Sequence, residues 1–109
     1  MIIAHRRLTV RIASGDKDMP VRLFQPEDDG RGWVCRYEIE WPDGLSSGFA
    51  AGIDAVQALI LALQMIGIQL YTSKYHQARN LRWNDRDGGY GFPVARNVRD
   101  LLIGGDVNL

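Results

Sequence analysis

The chain of 109 residues contains one cysteine and two histidines, and this scarcity removes several kinds of site. A single cysteine, Cys35, can form neither an intrachain disulfide nor a cysteine-based zinc site. His5 and His76 lie far apart and lack the spacing of known zinc motifs. The segment Gly88-Gly89-Tyr90-Gly91 departs from the dinucleotide-binding pattern in both spacing and context. We therefore expect no metal ion and no other cofactor.

The chain also lacks an excess of positive or negative charge. Thirteen basic side chains balance thirteen acidic ones, so no overall field attracts nucleic acid, and the sequence argues against a nucleic-acid partner. The charge is nevertheless uneven, because residues 27–54 carry seven acidic and two basic groups. The N-terminus does not have the charge order of a signal peptide. We expect a single cytoplasmic domain over residues 1–109, with no linker, repeat or membrane association.

The first half of the chain predicts four strands. Apolar and polar residues alternate over 2–13 and, most clearly, over 33–41, while 20–25 and the small-residue segment 45–51 complete the set. Turn residues separate them at 14–18, at 26–30 and at Pro42-Asp43-Gly44. On the first strand, one residue breaks the apolar face. The apolar face is predicted to hold Ile2, Ala4, Leu8, Val10 and Ile12, with Arg6 out of character among them.

The second half begins with a run of nineteen uncharged residues from Ala55 to Ser73, which predicts a long helix from a cap at Asp54 to about Tyr71. Glutamines interrupt this run, which argues against a membrane span. Gly67 inside the helix predicts close approach of a neighbouring backbone. One apolar stripe suits packing on a sheet: Ala55, Leu59, Ala62, Leu63, Ile66 and Leu70. A second stripe lies on the opposite face: Gln57, Leu61, Gln64, Ile68 and Tyr71.

After the long helix the pattern is weaker. A short helix is predicted at 74–79, an extended piece at Leu81-Arg82-Trp83 and a loop from Asn84 to Gly91. Pro93 suits the first turn of a C-terminal helix. Its apolar face is predicted to hold Val94, Val98, Leu101 and Leu102. The resulting fold class is α+β: a four-stranded antiparallel meander, with one long central helix and a short C-terminal helix packed on one face.

Several of these segments together resemble a known family. The segment Ala50-Ala51-Gly52-Ile53-Asp54-Ala55-Val56-Gln57-Ala58-Leu59 is followed by Ile68-Gln69-Leu70-Tyr71-Thr72-Ser73, Leu81-Arg82-Trp83 and Gly89-Tyr90-Gly91-Phe92-Pro93-Val94. This series is similar, over roughly residues 30–103, to an uncharacterised family of small bacterial single-domain proteins. The resemblance implies a bacterial cytoplasmic origin, and it carries no established activity.

The second helical stripe carries the leading functional hypothesis. An apolar stripe that faces away from the sheet needs a cover, which is either the C-terminal helix of the same chain or another molecule. If it is another molecule, we expect a non-enzymatic interaction module, most simply a homodimer and otherwise one with an unidentified protein partner. The interface would use Leu61, Ile68 and Tyr71, with Gln57 and Gln64 as paired polar positions that set the register.

Two alternatives remain open. A small-ligand site or an enzyme active site could lie around residues 76–92, since cations, aromatic rings and carboxylates are mixed there. Its candidate residues are His76, Arg79, Arg82, Trp83, Asp85, Asp87 and Tyr90. We interpret the segment from Asp85 to Gly89 as a turn, because it lacks the further oxygen ligands of a calcium loop. The acidic block 27–54 would also suit an immunity or antitoxin-like partner of a toxin.

Overall fold

The computed structural model describes residues 1–84, 88–94, 103–104 and 106. Strands and helices follow the order β1, β2, β3, β4, β5, α1, α2, β6. The strands are β1 Ile2–Ile12, β2 Gly15–Phe24, β3 Glu27–Asp28, β4 Trp33–Trp41, β5 Gly44–Gly52 and β6 Leu81–Arg82. The helices are α1 Ala55–Tyr71 and α2 Lys74–Gln77. The α+β class predicted from the sequence is therefore confirmed.

The four long strands form an antiparallel meander, as predicted. β1 pairs with β2, β2 pairs with β4 and β4 pairs with β5, all antiparallel. The short strand β3 pairs with the first residues of β4, and β6 pairs with β1 at Thr9 and Val10. β5 and β6 therefore lie at opposite edges of the sheet.

The predicted number of four strands was wrong, because the described residues form a six-stranded sheet. β3 and β6 have two residues each, which is too short for any apolar alternation to show. Their pairing depends on where β4 and β1 lie, which is a property of the tertiary structure. β2 also begins at Gly15, earlier than the predicted residue 20, because its polar first half pairs with β1.

The core lies between one face of the sheet and α1. Its strand residues are Leu8, Val10, Met19, Val21, Leu23, Cys35, Tyr37, Ile39 and Ala50. Ile2 and Ala4 were predicted to face this core and are exposed instead. The register between β1 and β2 shifts between these two residues, so the alternation of faces breaks at Ile2. Ala4 remains in register opposite Leu23 and is exposed because it lines an open pocket beside Leu63 and Phe92. Cys35 is buried as predicted, and its thiol donates to the carbonyl oxygen of Phe24.

Helix α1 has the predicted cap and bounds. The Asp54 side chain accepts a hydrogen bond from the Gln57 backbone N–H, and the Gln57 side-chain oxygen accepts one from the Ile53 N–H. Such reciprocal bonds satisfy donors that a helix start leaves unpaired. The helix packs over β4 and β5, and its most deeply buried row is Ala58, Ala62, Ile66 and Leu70. Among the described residues, no helix has the length and apolar character that crossing a membrane requires.

The C-terminal half of α1 is also covered on the side away from this row. A methyl group at Gly67 would collide with the carbonyl oxygen of Pro93, which confirms the close backbone approach predicted there. Tyr71 is only 3% exposed, and its hydroxyl donates to Asp106. The predicted C-terminal helix, with Val98, Leu101 and Leu102, lies outside the described residues. Asp106 of the same chain thus contacts one residue of the second stripe, Tyr71, and residues 93–94 pack beside it at Gly67.

Candidate functional site

Arg6, the residue that interrupts the apolar face of β1, reaches across to the segment after β6. Its guanidinium Nη1 donates to the carbonyl oxygens of Tyr90 at 3.0 Å and Gly91 at 2.9 Å. The guanidinium carbon lies 3.9 Å from the ring centroid of Trp83, which is cation–π geometry. Burial lowers the pKa of Arg6, and the charge of Asp106 partly offsets this. Arg6 therefore fastens residues 90–91 to the sheet.

Asp106 holds the same segment from the other side. Its carboxylate accepts hydrogen bonds from the backbone N–H groups of Tyr90 at 2.8 Å and Gly91 at 2.7 Å. It also accepts one from the Tyr71 hydroxyl at 2.6 Å, and Asp106 is 3% exposed. A side chain at Gly89 would meet this carboxylate. Three donors thus compensate a buried charge that would otherwise be costly.

Next to this carboxylate, three rings pack together. The Tyr90 hydroxyl is hydrogen-bonded to His76 Nδ1, and the Tyr71 ring lies edge-on to His76 with centroids 4.9 Å apart. Burial, assisted by the charge of Asp106, raises the pKa of Tyr90 to about 12. Burial also lowers the pKa of His76. Both groups are therefore neutral at pH 7, and the phenol proton is available to the imidazole nitrogen.

The geometry of α2 places Arg79 beside these rings. The Arg79 N–H donates to His76 O and the Asn80 N–H donates to Tyr75 O, which is the Schellman arrangement of helix ends. Arg79 occupies the left-handed position of this cap, with φ 59°, where glycine is the usual residue. An open pocket of about 740 Å³ lies here. The described residues that line it are Tyr71, His76, Gln77, Arg79, Leu81, Gly88, Tyr90 and Ile103.

Three of the seven candidate ligand residues share this pocket: His76, Arg79 and Tyr90. Arg82 and Trp83 lie elsewhere. Arg82 forms an ion pair with Asp16 at 2.6 Å, and it shares with Arg79 a smaller pocket of about 200 Å³. Trp83 lies under Arg6. Asp85 and Asp87 lie outside the described residues. Within the part that the structure describes, no three His, Cys, Asp or Glu side chains come together as metal ligands would.

The five predicted interface residues differ in their surroundings. Tyr71 is buried within the chain, and Gln57 is exposed and caps the start of α1. Leu61, Gln64 and Ile68 are half-buried. The most exposed apolar side chains near the start of the helix are instead Ile53 at 85% and Val56 at 64%.

The edge strand β5 is a second candidate surface. It pairs with β4 along its whole length without a register shift, and no other described strand pairs with it. Its nine residues, GLSSGFAAG, include neither a charge nor a proline. Leu45 is 56% exposed and Phe49 is 60% exposed. A backbone edge of this kind is free to hydrogen-bond another strand.

Sequence reasoning missed the two residues that organise the polar cluster, Arg6 and Asp106. One sequence signal could have identified Arg6: it is a lone arginine on the apolar face of an alternating strand, and such a residue needs a hydrogen-bond acceptor within the fold. No sequence signal identifies Asp106, because an aspartate after two glycines is equally typical of an exposed turn. Its role depends on contacts with residues distant in sequence, Tyr71 and Tyr90.

Comparisons with known proteins give a family and no activity. Searches of curated proteins and of solved structures found no significant match. One family, described as a domain of unknown function (DUF6968), has a sequence model that matches residues 4–94. That match covers most of the chain and includes both the sheet and the segment that Arg6 anchors, and the protein therefore belongs to the DUF6968 family.

Proposed function

We propose that the domain is a non-enzymatic interaction module whose most direct partner is a second copy of itself, bound through the free edge of β5. One observation carries the proposal: β5 is a regular nine-residue strand that pairs with β4 alone among the described strands. Addition of a strand to such an edge supplies main-chain hydrogen bonds along its whole length.

The composition of β5 supports this reading. Edge strands of monomeric proteins are commonly protected by charges, prolines, bulges or short length. β5 has none of these features, whereas β1, β2 and β4 all carry charged side chains. The exposed Leu45 and Phe49 would gain cover from a neighbouring strand.

One flank of α1 extends the same surface. Leu63 and Gly67 face the segment around Pro93, and Met65 lies about 160° around the helix from both. Because α1 packs over β4 and β5, this flank is the one nearest to the free edge. Leu61 and Ile68, two of the interface residues predicted from the sequence, lie about 40° and 60° from Met65, towards the face that points away from the sheet. Met65, also on this flank, is 38% exposed.

Charge favours a second copy as the partner. In a two-fold symmetric interface each side chain approaches its own equivalent or a nearby residue, so charged strands repel each other. An uncharged strand avoids this repulsion along β5 itself. Antiparallel pairing of two β5 strands would produce one continuous sheet with the two α1 helices side by side on one face.

The test compares two arginine substitutions on the same helix. We expect Met65→Arg to convert a dimer into a monomer, because it places two like charges in the helix seam. Ile60→Arg is the matched control, since Ile60 is 46% exposed and lies on the far side from Met65. Light scattering over micromolar to high micromolar concentrations measures the mass. A wild type that stays monomeric throughout would overturn the proposal, and so would loss of the dimer in Ile60→Arg alone.

A further inference from the structure

A second feature of the molecule is independent of β5: the pocket of about 740 Å³ between α2, Leu81 and the segment from Gly88 to Tyr90. We infer that this pocket binds a small organic anion, namely a carboxylate carried on an aromatic or short aliphatic body. Its volume lies in the range typical of small-molecule sites, roughly 300–1,000 Å³. Its walls combine rings and aliphatic side chains with few polar groups, as such sites do.

His76 supplies the first polar contact. Its Nδ1 is engaged by the Tyr90 hydroxyl, and the edge-on Tyr71 ring holds the imidazole in place. We assign the Tyr90 hydroxyl as the donor of this hydrogen bond and Nδ1 as its acceptor, which places the hydrogen of the neutral imidazole on Nε2. Nε2 makes no hydrogen bond to any described residue. It is therefore an oriented donor for an oxygen atom in the pocket.

Arg79 supplies the charge. Its guanidinium forms no ion pair with a described residue, although Arg11 and Arg82 nearby both pair with Asp16. The cap position that it occupies favours glycine, and a side chain there costs roughly 1 kcal/mol. An arginine at this strained backbone position fits a binding role, since such strain is found where function requires the side chain. The planar guanidinium of Arg79 has paired N–H donors whose spacing suits hydrogen bonds to both oxygens of a carboxylate.

The remaining walls determine the body of the ligand. Leu81 and the rings of Tyr71 and Tyr90 are buried, and Ile103 is 39% exposed at the rim. The carboxylate of Asp106 is 3% exposed, and its hydrogen bonds go to Tyr71 and to the backbone of residues 90 and 91, so the charge of Arg79 has to offset its repulsion of an anion in the pocket. The ligand that fits this pocket therefore has an apolar group that packs against the exposed Ile103 at the rim and an anionic end at His76 and Arg79.

The experiment titrates the ¹⁵N-labelled full chain with benzoate, with benzyl alcohol and with phenyl phosphate. For a ligand of this size we expect benzoate to bind with a Kd on the order of 1 mM. We also expect it to shift the Nε2 resonance of His76, and benzyl alcohol to bind at least about tenfold more weakly. Equal binding of benzyl alcohol would overturn the anion assignment, and tighter binding of phenyl phosphate would overturn the choice of carboxylate.

Substitution at Arg79 locates the site. Arg79→Gly removes the guanidinium and suits the left-handed backbone, so the fold is retained while benzoate binding falls about tenfold. Arg79→Lys should restore part of the affinity. The control is Arg31→Gly, which removes an exposed arginine from the turn before β4 and should leave binding unchanged. Unchanged binding in Arg79→Gly, or benzoate shifts confined to residues outside the pocket, would overturn the inference.

Discussion

Arg6 and Asp106 hold opposite sides of the same two residues: Arg6 bonds the carbonyl oxygens of Tyr90 and Gly91, and Asp106 bonds their N–H groups. The two charges are therefore linked through backbone groups. Because Arg6 is on β1 and Asp106 lies far from it in the sequence, this arrangement links two distant segments of the chain. It also positions Tyr90, whose hydroxyl orients His76.

The first prediction concerns this link. Asp106→Asn replaces an oxygen acceptor with an amide that must present N–H groups to backbone donors, so we expect a loss of about 2–4 kcal/mol in the free energy of unfolding. Arg6→Met should destabilise by a similar mechanism, because two carbonyl oxygens lose their donor. Urea unfolding of both variants and of the double variant gives the coupling, which we expect to exceed about 0.5 kcal/mol. Simple additivity would contradict the proposed link.

A second prediction concerns Gly67. Within a helix, replacement of glycine by alanine usually stabilises by up to about 1 kcal/mol. Here the added methyl group would collide with the Pro93 carbonyl oxygen, so we expect Gly67→Ala to destabilise by about 1–3 kcal/mol. Thermal unfolding measures the change, and amide exchange should show faster exchange around residue 94. Increased stability would mean that residues 93–94 do not pack on α1.

The third prediction separates stability from binding at Arg79. Arg79→Gly should raise the free energy of unfolding by roughly 0.5–1 kcal/mol, because glycine adopts φ 59° without the steric cost. Arg79→Ala is the control, since alanine retains that cost and should bring no comparable gain. Both are measured by thermal unfolding without ligand. A gain in Arg79→Ala equal to that of glycine would show that the backbone conformation is not the cause.

The fourth prediction is a pH dependence from His76. Burial lowers its pKa in the folded state below the ordinary value of 6.5, so the unfolded chain takes up the proton first. Stability from this group is therefore complete above pH 6.5 and declines as the pH falls, with a slope of at most about 1.4 kcal/mol per pH unit. Urea unfolding between pH 7.5 and 5.5 should show this decline in the wild type and a smaller one in His76→Gln. Equal slopes would refute the assignment.

The fifth prediction tests the free edge of β5 directly. Ser47→Lys adds the charge that edge strands commonly use against pairing, and in the monomer the lysine lies opposite Glu38, where it is favourable. We expect the dimer dissociation constant to rise at least about tenfold. Ser14→Lys, in the turn between β1 and β2, makes the same change far from the edge. Sedimentation analysis of both variants is the measurement, and an equal effect at the two positions would exclude an interface at β5.

Several elements were predictable from the sequence because their signal is local. Alternation identified β1 and β4, and Asp54 and the uncharged run identified α1 with its bounds. Gly67 predicted the close approach of another backbone segment, but the sequence did not identify that segment as residues 93–94. The pocket was only partly predictable: His76, Arg79 and Tyr90 come together, but Arg82 pairs with Asp16 instead. No local sequence pattern could predict that Arg79 lines the pocket while Arg82 pairs with Asp16, because both positions depend on how the residues after α2 pack against the sheet.

By itself, the sequence determined the α+β class, the order of the long strands and the single long helix, because side-chain periodicity and capping act over a few neighbouring residues. Only the tertiary structure decided the cover of α1, the pairing of β3 and β6, and the place of Asp106 among Tyr71, Tyr90 and Gly91. Those contacts join residues far apart in the chain. In these contacts, hydrogen bonds between distant residues offset the cost of burying a charge and backbone groups, and no local pattern encodes such a pairing.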